Sequence, residues 1–196
     1  MLLRMGGERQ SGSTRKAQIA KEALFLLATG GPHRLTAKRL GAAVGIDHSS
    51  IFRHFPDKAA IISAAIELFE RRLDESFPPP NSLPLERLRL FFLHRLVLSN
   101  ASPEIIRCAL NPQLLEVAGE DFHAQEVRRI VAKSISFITD CLENAKDDGQ
   151  ISSAVPTTDL VWIVAGILRG ASSARDSSSE DPSKTWGRLE NLLRKL

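Results

Sequence analysis

Apolar residues recur three and four positions apart along almost the whole chain, which is the spacing of one face of an α-helix. β-branched residues rarely alternate with polar residues, so the pattern of a half-buried strand is missing. The 196 residues, 43% of them hydrophobic and 25% charged, are enough to enclose a substantial core. The sequence therefore predicts an all-α protein of about nine helices.

Capping residues and glycines mark where these helices begin and end. The first helix is predicted over 14–29, because two glycines follow it. Thr36 is a suitable N-cap for a helix that runs to position 43, Asp47 for one over 48–55, and Asp57 for a long helix to position 77. A proline-rich linker occupies positions 78–82, and further helices are predicted near 84–99, 103, 112, 122–147, 157–175 and 183–196.

The sequence carries no signal for export or for membrane insertion. The longest strictly apolar stretch, 160–168, is at most half the length of a membrane span. The N-terminus lacks a hydrophobic region of signal-peptide length, so the protein is predicted to remain in the cytoplasm. Two cysteines, Cys108 and Cys141, are too few for a disulfide scaffold and suit a reducing compartment.

Positive charge is concentrated in the first third of the chain. Residues 1–58 hold ten Lys and Arg against four Asp and Glu, a net charge of +6, whereas residues 59–196 carry a net charge of −3. This asymmetry favours a polyanion that binds at the N-terminal end. A solvated basic tail explains the charge equally well, so charge alone leaves both interpretations open.

Residues 36–55 have the layout of a helix-turn-helix, with a short helix, a turn at Gly45 and a second short helix. The apolar residues spaced to pack these helices together and on the first helix are Leu40, Val44, Ile46, Ile51 and Phe55. The second helix begins with His48, Ser49 and Ser50, which suit entry into a major groove and hydrogen bonding to base edges. The side chains that suit phosphate contacts are Thr36, Lys38, Arg39, Arg53, His54 and Lys58.

The run from Gly45 to Lys58 reads Gly-Ile-Asp-His-Ser-Ser-Ile-Phe-Arg-His-Phe-Pro-Asp-Lys. Together with the apolar positions of the first helix, it resembles the N-terminal domain of the TetR family of transcriptional regulators, over roughly residues 14–66. Two positions depart from the family pattern. Phe52 replaces a common tyrosine and removes a hydroxyl contact to phosphate, and Gly41 replaces a common alanine and lowers helix propensity by about 1 kcal/mol.

The resemblance implies a role for each matching position. Thr36 and Lys58 hold phosphates at the N-termini of their helices, residues 48–50 face bases, and Arg53 and His54 face the DNA backbone or groove. The ring of Phe52 is left for packing or van der Waals contact.

Residues 1–13 are rich in Gly, Ser and Arg and are predicted to form a disordered tail. The resemblance divides the rest of the chain into a helix-turn-helix DNA-binding domain over 14–58 and a helical ligand-sensing and dimerisation domain over 59–196. Two helices of the last domain carry stripes that a second copy of the chain can cover. The residues assigned to this homodimer interface are Gly166, Arg169, Gly170, Ser173, Trp186, Leu189 and Leu193. Packing of both helices within one chain is the alternative. Two recognition helices on one duplex require such a dimer and favour a near-palindromic operator.

A ligand pocket is harder to locate, because apolar residues with a few polar anchors describe a pocket and a plain core alike. The candidates are Phe91, His94, Arg95, Cys108, Phe122, Phe137 and Trp162. No metal site is predicted, because the histidines and cysteines lack the spacing that puts two ligands on one helix face. No cofactor is predicted, and neither a nucleophile elbow nor a phosphate-binding glycine loop occurs.

These observations predict a DNA-binding transcriptional regulator and not an enzyme. We expect a repressor that binds double-stranded operator DNA as a homodimer and is released by a small-molecule ligand. Three alternatives stay open on the sequence alone. In the first, the helix-turn-helix no longer binds DNA and the protein binds small molecules or other proteins. In the second, the helical bundle is an enzyme. In the third, the protein binds DNA but responds to no ligand.

Overall fold

The computed structural model describes residues 12–110, 121–173 and 181–196, and these include no strand. Its regular structure is a short 3-10 helix, Pro32–Arg34, and nine α-helices. The helices are α1 (Gly12–Gly30), α2 (Ala37–Val44), α3 (His48–Ile51), α4 (Lys58–Asp74), α5 (Pro84–Ala101), α6 (Pro103–Leu110), α7 (Asp121–Asp147), α8 (Thr157–Ser173) and α9 (Pro182–Lys195). The predicted all-α fold of about nine helices is confirmed. The helix predicted near 112 and positions 1–11 of the predicted tail lie outside the described residues.

Three predicted N-caps are present, and each side chain accepts a backbone hydrogen bond. At the start of α2, Oγ1 of Thr36 accepts from the N–H of Arg39 at 3.3 Å. At the start of α3, Oδ1 of Asp47 accepts from the N–H of Ser49 at 2.8 Å. Asp57 caps α4 in the same way, with its Oδ1 2.8 Å from the backbone nitrogen three residues on. Each cap stabilises its helix by about 1 kcal/mol, so local sequence fixes these three helix starts.

Two helices end earlier than predicted, and a proline follows closely in each case. α3 stops at Ile51 rather than at position 55, and the N–H of Phe55 bonds to the Ile51 carbonyl at 3.1 Å. α4 stops at Asp74 rather than at position 77. Pro56 and Pro78 disfavour helical backbone at Phe55 and Phe77, the residues directly before them, so neither helix continues to its predicted end. α1 begins two residues before its predicted start.

Buried apolar side chains form two clusters that share α5 and α7. One cluster joins α1 to α4 with the end of α5, α6 and the first part of α7, and Leu27, Ile51 and Phe69 are among its fully buried members. The other joins α5, the second part of α7, α8 and α9. At its centre the rings of Phe92 and Trp186 have centroids 5.6 Å apart. The buried face of α4 thus belongs with the N-terminal helices, although its domain was predicted to begin at position 59.

Three polar contacts join α4 to α7 along their length. They are Ser63 Oγ to His123 Nε2 at 2.9 Å, Glu70 Oε1 to Arg129 Nη2 at 2.7 Å, and Asp74 Oδ1 to Lys133 Nζ at 2.6 Å. Both sets of numbers ascend in the same order, so the two helices run in the same direction. The two ion pairs are solvent-exposed and each is worth at most about 1 kcal/mol, so their effect is on helix register more than on stability.

Candidate nucleic-acid interface

The turn between α2 and α3 is closed by two glycines. Gly45 adopts the left-handed conformation, with φ 70° and ψ 37°, and its N–H bonds to the carbonyl of Gly41 at the end of α2. The N–H of Ile46 bonds to the same carbonyl at 2.9 Å. A Cβ atom added to Gly41 would lie only 2.7 Å from the carbonyl oxygen of Ile46. The departure from alanine at position 41 therefore follows from the close approach of the turn to α2.

Two basic residues of α1 complete the turn, and the sequence analysis missed both. Nη1 of Arg15 donates to the carbonyl oxygen of Val44 at 2.7 Å, at the end of α2. The ammonium of Lys16 lies 5.8 Å from the centroid of the Phe55 ring. Both belong to the basic N-terminal third, but the periodicity of α1 marks only its apolar face. Polar contacts therefore support the packing of the helix-turn-helix on α1.

The predicted division of residues 36–58 into packing and outward side chains is confirmed by their burial. Leu40, Ile51 and Phe55 are buried, while Val44 and Ile46 are partly buried against the same cluster. The outward side chains are the exposed Thr36, Lys38, Arg39, His48, Ser49, Phe52, Arg53 and Lys58, and the partly exposed Ser50 and His54. This surface is polar and mainly cationic.

The first turn of α3 is held by its own side chains. The hydroxyl of Ser49 donates to Oδ1 of Asp47 at 2.5 Å. This hydroxyl, followed by the Ser49 backbone N–H, holds the pKa of the Asp47 carboxyl below its usual range. Nη2 of Arg53 donates to the hydroxyl oxygen of Ser50. His48 is the most freely presented of the three candidate base-reading residues, with Nδ1 3.7 Å from Asp47 Oδ1 and the ring largely exposed.

The two residues predicted to bind phosphates lie at helix N-termini, and each retains hydrogen-bond donors for a further partner. Thr36 uses its oxygen as an acceptor in the α2 cap, so its O–H remains available to donate. Nζ of Lys58, at the start of α4, donates to the carbonyl of Pro32 at 3.0 Å and retains two further N–H donors. Helix N-termini bind anions through free N–H groups and the helix dipole, so both places suit a phosphate.

Phe52 presents its ring to solvent, with 51% of the residue exposed. Two roles were predicted for this ring, packing within the chain and van der Waals contact with DNA, and its exposure disfavours the first. The exposed ring offers apolar surface beside Arg53, where van der Waals contact with a sugar or a thymine methyl is possible.

Three of the seven candidate pocket residues lie together between α5 and α7. The rings of Phe91 and Phe137 have centroids 5.0 Å apart, and the guanidinium of Arg95 lies 4.8 Å from the Phe91 centroid. His94 faces away from them, with Nδ1 3.2 Å from the carbonyl of Ser76, and borders a surface cleft of about 260 Å³. A second cleft, of about 220 Å³, lies beside Trp186 and Arg194, and neither cleft is lined by Arg95.

Two further pocket candidates lie apart from this group, and a third lies outside the described side chains. Cys108 is buried in the other cluster, against the N-terminal helices, where burial raises the pKa of its thiol to about 12. Trp162 is 79% exposed on α8 and lines neither of the two clefts. The side chain of Phe122 is outside the described part of the chain.

Of the residues assigned to the homodimer interface, those on α9 are buried and those on α8 are exposed where their side chains are described. Trp186, Leu189 and Leu193 are buried within their own chain, where Nε1 of Trp186 also donates to Oε2 of Glu190 at 2.9 Å, so the expectation that they form an exposed stripe is wrong. Periodicity identified the apolar face of α9 correctly but not that α5 covers it. On α8, by contrast, Gly166, Arg169 and Gly170 are exposed beside Trp162. The side chain of Ser173 lies outside the described residues.

No described helix combines the length and the low polarity that crossing a membrane requires. Within the same residues, no group of three or more His, Cys, Asp or Glu side chains is placed to hold a metal ion.

The fold and this surface define a helix-turn-helix protein with an all-α body. Residues 19–65 match the model of the bacterial regulatory proteins, tetR family. Over this N-terminal stretch, about a quarter of its length, the chain is similar to the TetR family of transcriptional regulators.

Comparisons over longer stretches identify relatives in sequence. The chain is 33% identical over 111 residues to the nucleoid occlusion factor SlmA of Vibrio atlanticus, which covers 53% of this chain and 54% of that protein. It is 30% identical over 111 residues to the SlmA of Photobacterium profundum, with the same shares of each chain. The chain thus spans about half the length of these curated relatives.

Solved structures share the fold over nearly the whole chain. The ketosteroid transcriptional regulator KstR2 of Mycobacterium tuberculosis aligns with a TM-score of 0.76 at 14% identity, covering 98% of this chain and 100% of that chain. AibR in complex with isovaleryl coenzyme A and operator DNA aligns with a TM-score of 0.75 at 14% identity, covering 92% of this chain and 98% of that chain. At these identities the likeness establishes the fold alone.

Proposed function

We propose that this protein is a transcriptional repressor that binds a near-palindromic operator as a homodimer and is released from it by a small-molecule ligand. The observation that carries the proposal is the outward surface of α2, α3 and the start of α4. It combines a groove-sized helix, capped helix N-termini and a group of exposed cations on a buried apolar support. A regulator of this kind acts in the cytoplasm, on chromosomal DNA.

DNA recognition in this proposal is divided between two sets of residues. Thr36, Lys58 and the cations around them bind phosphates and set the position of the domain on the duplex. His48, Ser49 and Ser50 face base edges in the major groove. The Ser49 hydroxyl donates to the Asp47 cap and the Ser50 hydroxyl accepts from Arg53, so His48 supplies the least committed hydrogen-bonding group.

The exposed face of α8 supports the homodimer. Trp162 is a large apolar side chain that the described residues leave 79% exposed, and a Cβ at Gly166 or Gly170 would meet none of their atoms within 4 Å. A partner helix can therefore approach the α8 backbone closely and bury the indole. Pairing of two such bodies places two recognition helices on one face of the duplex, about 34 Å apart.

Ligand control in this proposal is a linkage between two binding events. A ligand that binds a state with wrongly spaced recognition helices weakens DNA binding, and DNA weakens ligand binding by the same factor. α4 is the element through which we expect the two to communicate. It begins at the DNA surface with Lys58 and ends beside α7, to which three polar contacts join it.

A charge-neutralising triple variant tests the DNA interface. We expect R39Q, R53Q and K58Q together to lower the affinity for every duplex, because phosphate contacts are independent of sequence. The matched control changes three exposed cations elsewhere, R71Q, K184Q and K195Q, and alters the net charge equally. Equal losses in both variants indicate a general charge effect. Unchanged affinity in the first variant contradicts the proposed interface.

The resemblance to SlmA favours a second candidate function. These relatives are named nucleoid occlusion factors. The second candidate for this chain is therefore a protein that acts on the nucleoid by binding many chromosomal sites, not one that controls a few genes. Recovery of the genomic fragments that bind the purified protein separates the two. A few promoter-proximal sites support the repressor, and many dispersed sites support the second candidate.

A further inference from the structure

Arg95 is a buried cation that forms no ion pair with a carboxylate of the described residues. Only 3% of the residue is exposed, and its Nη2 donates to the hydroxyl of Ser134 on α7 at 2.7 Å. The acid that acts on it, Asp74, already holds Nζ of Lys133 at 2.6 Å. Burial lowers the pKa of the Arg95 guanidinium to about 10. A buried charge with so little compensation destabilises a fold unless something else, such as a bound anion, offsets it.

A second guanidinium lies on the same face of α5. Arg87 precedes Arg95 by eight residues, with Phe91 midway, so the three side chains project from one side of the helix toward α7. The Arg87 guanidinium lies 5.2 Å from the centroid of the Phe137 ring. Its Nε atom is buried and has no hydrogen-bond partner. Arg87 thus carries a donor that is removed from water and unused, and Arg95 is a buried cation whose side chain has one hydrogen bond, to a neutral hydroxyl.

Aromatic rings fill the space between these two cations. Phe77, Phe91 and Phe137 contact one another, with centroids 5.0 to 5.3 Å apart. The Arg95 guanidinium lies 5.5 Å from the Phe77 centroid and 4.8 Å from the Phe91 centroid. Phe91 is fully buried, whereas Phe77 and Phe137 are partly exposed. Phe77 also belongs to the non-helical segment after α4, so it is the wall of the cluster that can move.

We propose that Arg95, assisted by Arg87, anchors the carboxylate of a small organic acid whose apolar body takes the place of Phe77 against Phe91 and Phe137. The flat two-oxygen carboxylate matches the fork of N–H donors on a guanidinium. The inference rests on the proposed function, in which the helical body responds to a small molecule. It also gives that response a route, because displacement of Phe77 acts on the segment that ends α4.

Matched pairs of acids and amides test the ligand class on the full chain. We use phenylacetate with phenylacetamide and hexanoate with hexanamide, and measure Kd by titration calorimetry and the shift in Tm. At least one acid is expected to bind and raise Tm, and its amide to bind about tenfold more weakly or worse, because one charge-assisted contact is lost. Equal binding within each pair, binding of neither member, or binding only of a coenzyme A thioester overturns the proposal.

Arginine variants test the anchor. R95Q is expected to bind the acid about tenfold more weakly or worse and to bind the amide unchanged. R89Q removes a guanidinium from the same helix that pairs with Glu86 on the surface, and it is expected to bind the acid like the wild type. If R95Q still binds the acid, or if R95Q and R89Q lose affinity for the acid equally, the selectivity for acids does not depend on Arg95. Either result overturns the proposal.

Stability without ligand gives an independent readout. If Arg95 is present for a ligand, R95M removes an uncompensated buried charge, and the urea midpoint of the ligand-free protein is expected to rise. If Arg95 instead serves as a structural link between Ser134 and the rings, R95M lowers the midpoint or fails to fold. Either of these two results overturns the proposal.

DNA binding separates this inference from the proposed function. Ligand-free R95Q is expected to bind operator DNA like the wild type, and the acid is expected to release only the wild type. A protein that binds DNA but no acid defeats the inference alone. A protein that binds the acid selectively but no DNA defeats the repressor and leaves the acid site standing.

Discussion

The guanidinium of Arg15 in α1 donates to the carbonyl oxygen of Val44 across 2.7 Å, although 29 residues separate them in the chain. Val44 is the last residue of α2, where carbonyl groups have no partner within the helix. The contact therefore ties the first helix to the turn before the recognition helix. It links the stability of this domain to the geometry of its DNA surface.

Removal of this contact is expected to weaken the N-terminal domain. R15A leaves a partly buried carbonyl without its charged donor, which corresponds to about 1.5–3 kcal/mol of unfolding free energy. Urea denaturation measures the loss, and DNA affinity should fall with it. K21A changes an exposed cation of the same helix and should alter stability by less than about 0.5 kcal/mol. Equal stability of R15A and K21A contradicts a structural role for the contact.

Alanine at position 41 is expected to destabilise the fold despite its higher helix propensity. The added Cβ meets the backbone oxygen of Ile46 at 2.7 Å, and backbone cannot move aside cheaply. Overpacking of this kind costs about 1–3 kcal/mol, which exceeds the gain of about 1 kcal/mol from replacing glycine in a helix. Denaturant midpoints of G41A and of G187A, where a Cβ meets nothing within 4 Å, should therefore shift in opposite directions. A stabilised G41A refutes the close-packing explanation.

A charge at the exposed face of α8 is expected to separate the proposed dimer. W162E replaces the indole by a carboxylate, which cannot be buried against a partner helix without loss of its hydration. Light scattering after size exclusion should give the monomer mass for W162E and the dimer mass for the wild type. V97E changes another exposed apolar residue, on α5, and should leave the dimer intact. A dimeric W162E places the interface on another surface.

Both thiols are expected to be inert at neutral pH. Burial raises the pKa of Cys108 to about 12 and that of Cys141 to about 11, compared with an ordinary value of 9.0. Because the folded pKa values are raised, the stability that depends on the neutral thiols is fully present below pH 9. It is lost as the pH rises toward 11 and 12. The folded protein should not react with a thiol reagent at pH 8, whereas the urea-unfolded chain should show two reactive groups.

A C108A variant localises the effect at high pH. The variant should lose less stability than the wild type between pH 9 and 11, when both are compared with their own values at pH 7. Rapid labelling of the folded wild type at pH 8 contradicts the buried state of both cysteines.

Features fixed by neighbouring residues could be predicted from the sequence, and features fixed by distant contacts could not. The caps at Thr36, Asp47 and Asp57 depend on three or four consecutive residues, and all three are present. Trp162 was predicted to line a pocket but is exposed, and Trp186 was predicted to face a second copy of the chain but is buried. These two differences have another origin. Each lies on an apolar helix face, but periodicity does not show which neighbouring helix covers that face.

Arg95 is a second feature that the sequence alone could not predict. Arg95 was one of several polar residues among apolar ones, and its contact with Ser134 spans 39 residues. Its lack of a carboxylate partner depends on Lys133, which holds Asp74 from another helix. Sequence spacing carries no information on how distant charges are paired, so this feature emerged only from the structure.

The salt dependence of DNA affinity tests the central claim most directly. Four exposed cations on each protomer, Lys38, Arg39, Arg53 and Lys58, are proposed to lie near phosphates, and each neutralised phosphate contributes about −0.9 to the slope of log K against log salt concentration. A dimer on one operator should therefore give a slope on the order of −4 to −7, and the triple variant R39Q, R53Q and K58Q a clearly shallower one. A flat salt response in the wild type, or the same slope in both proteins, contradicts the DNA-binding surface described above.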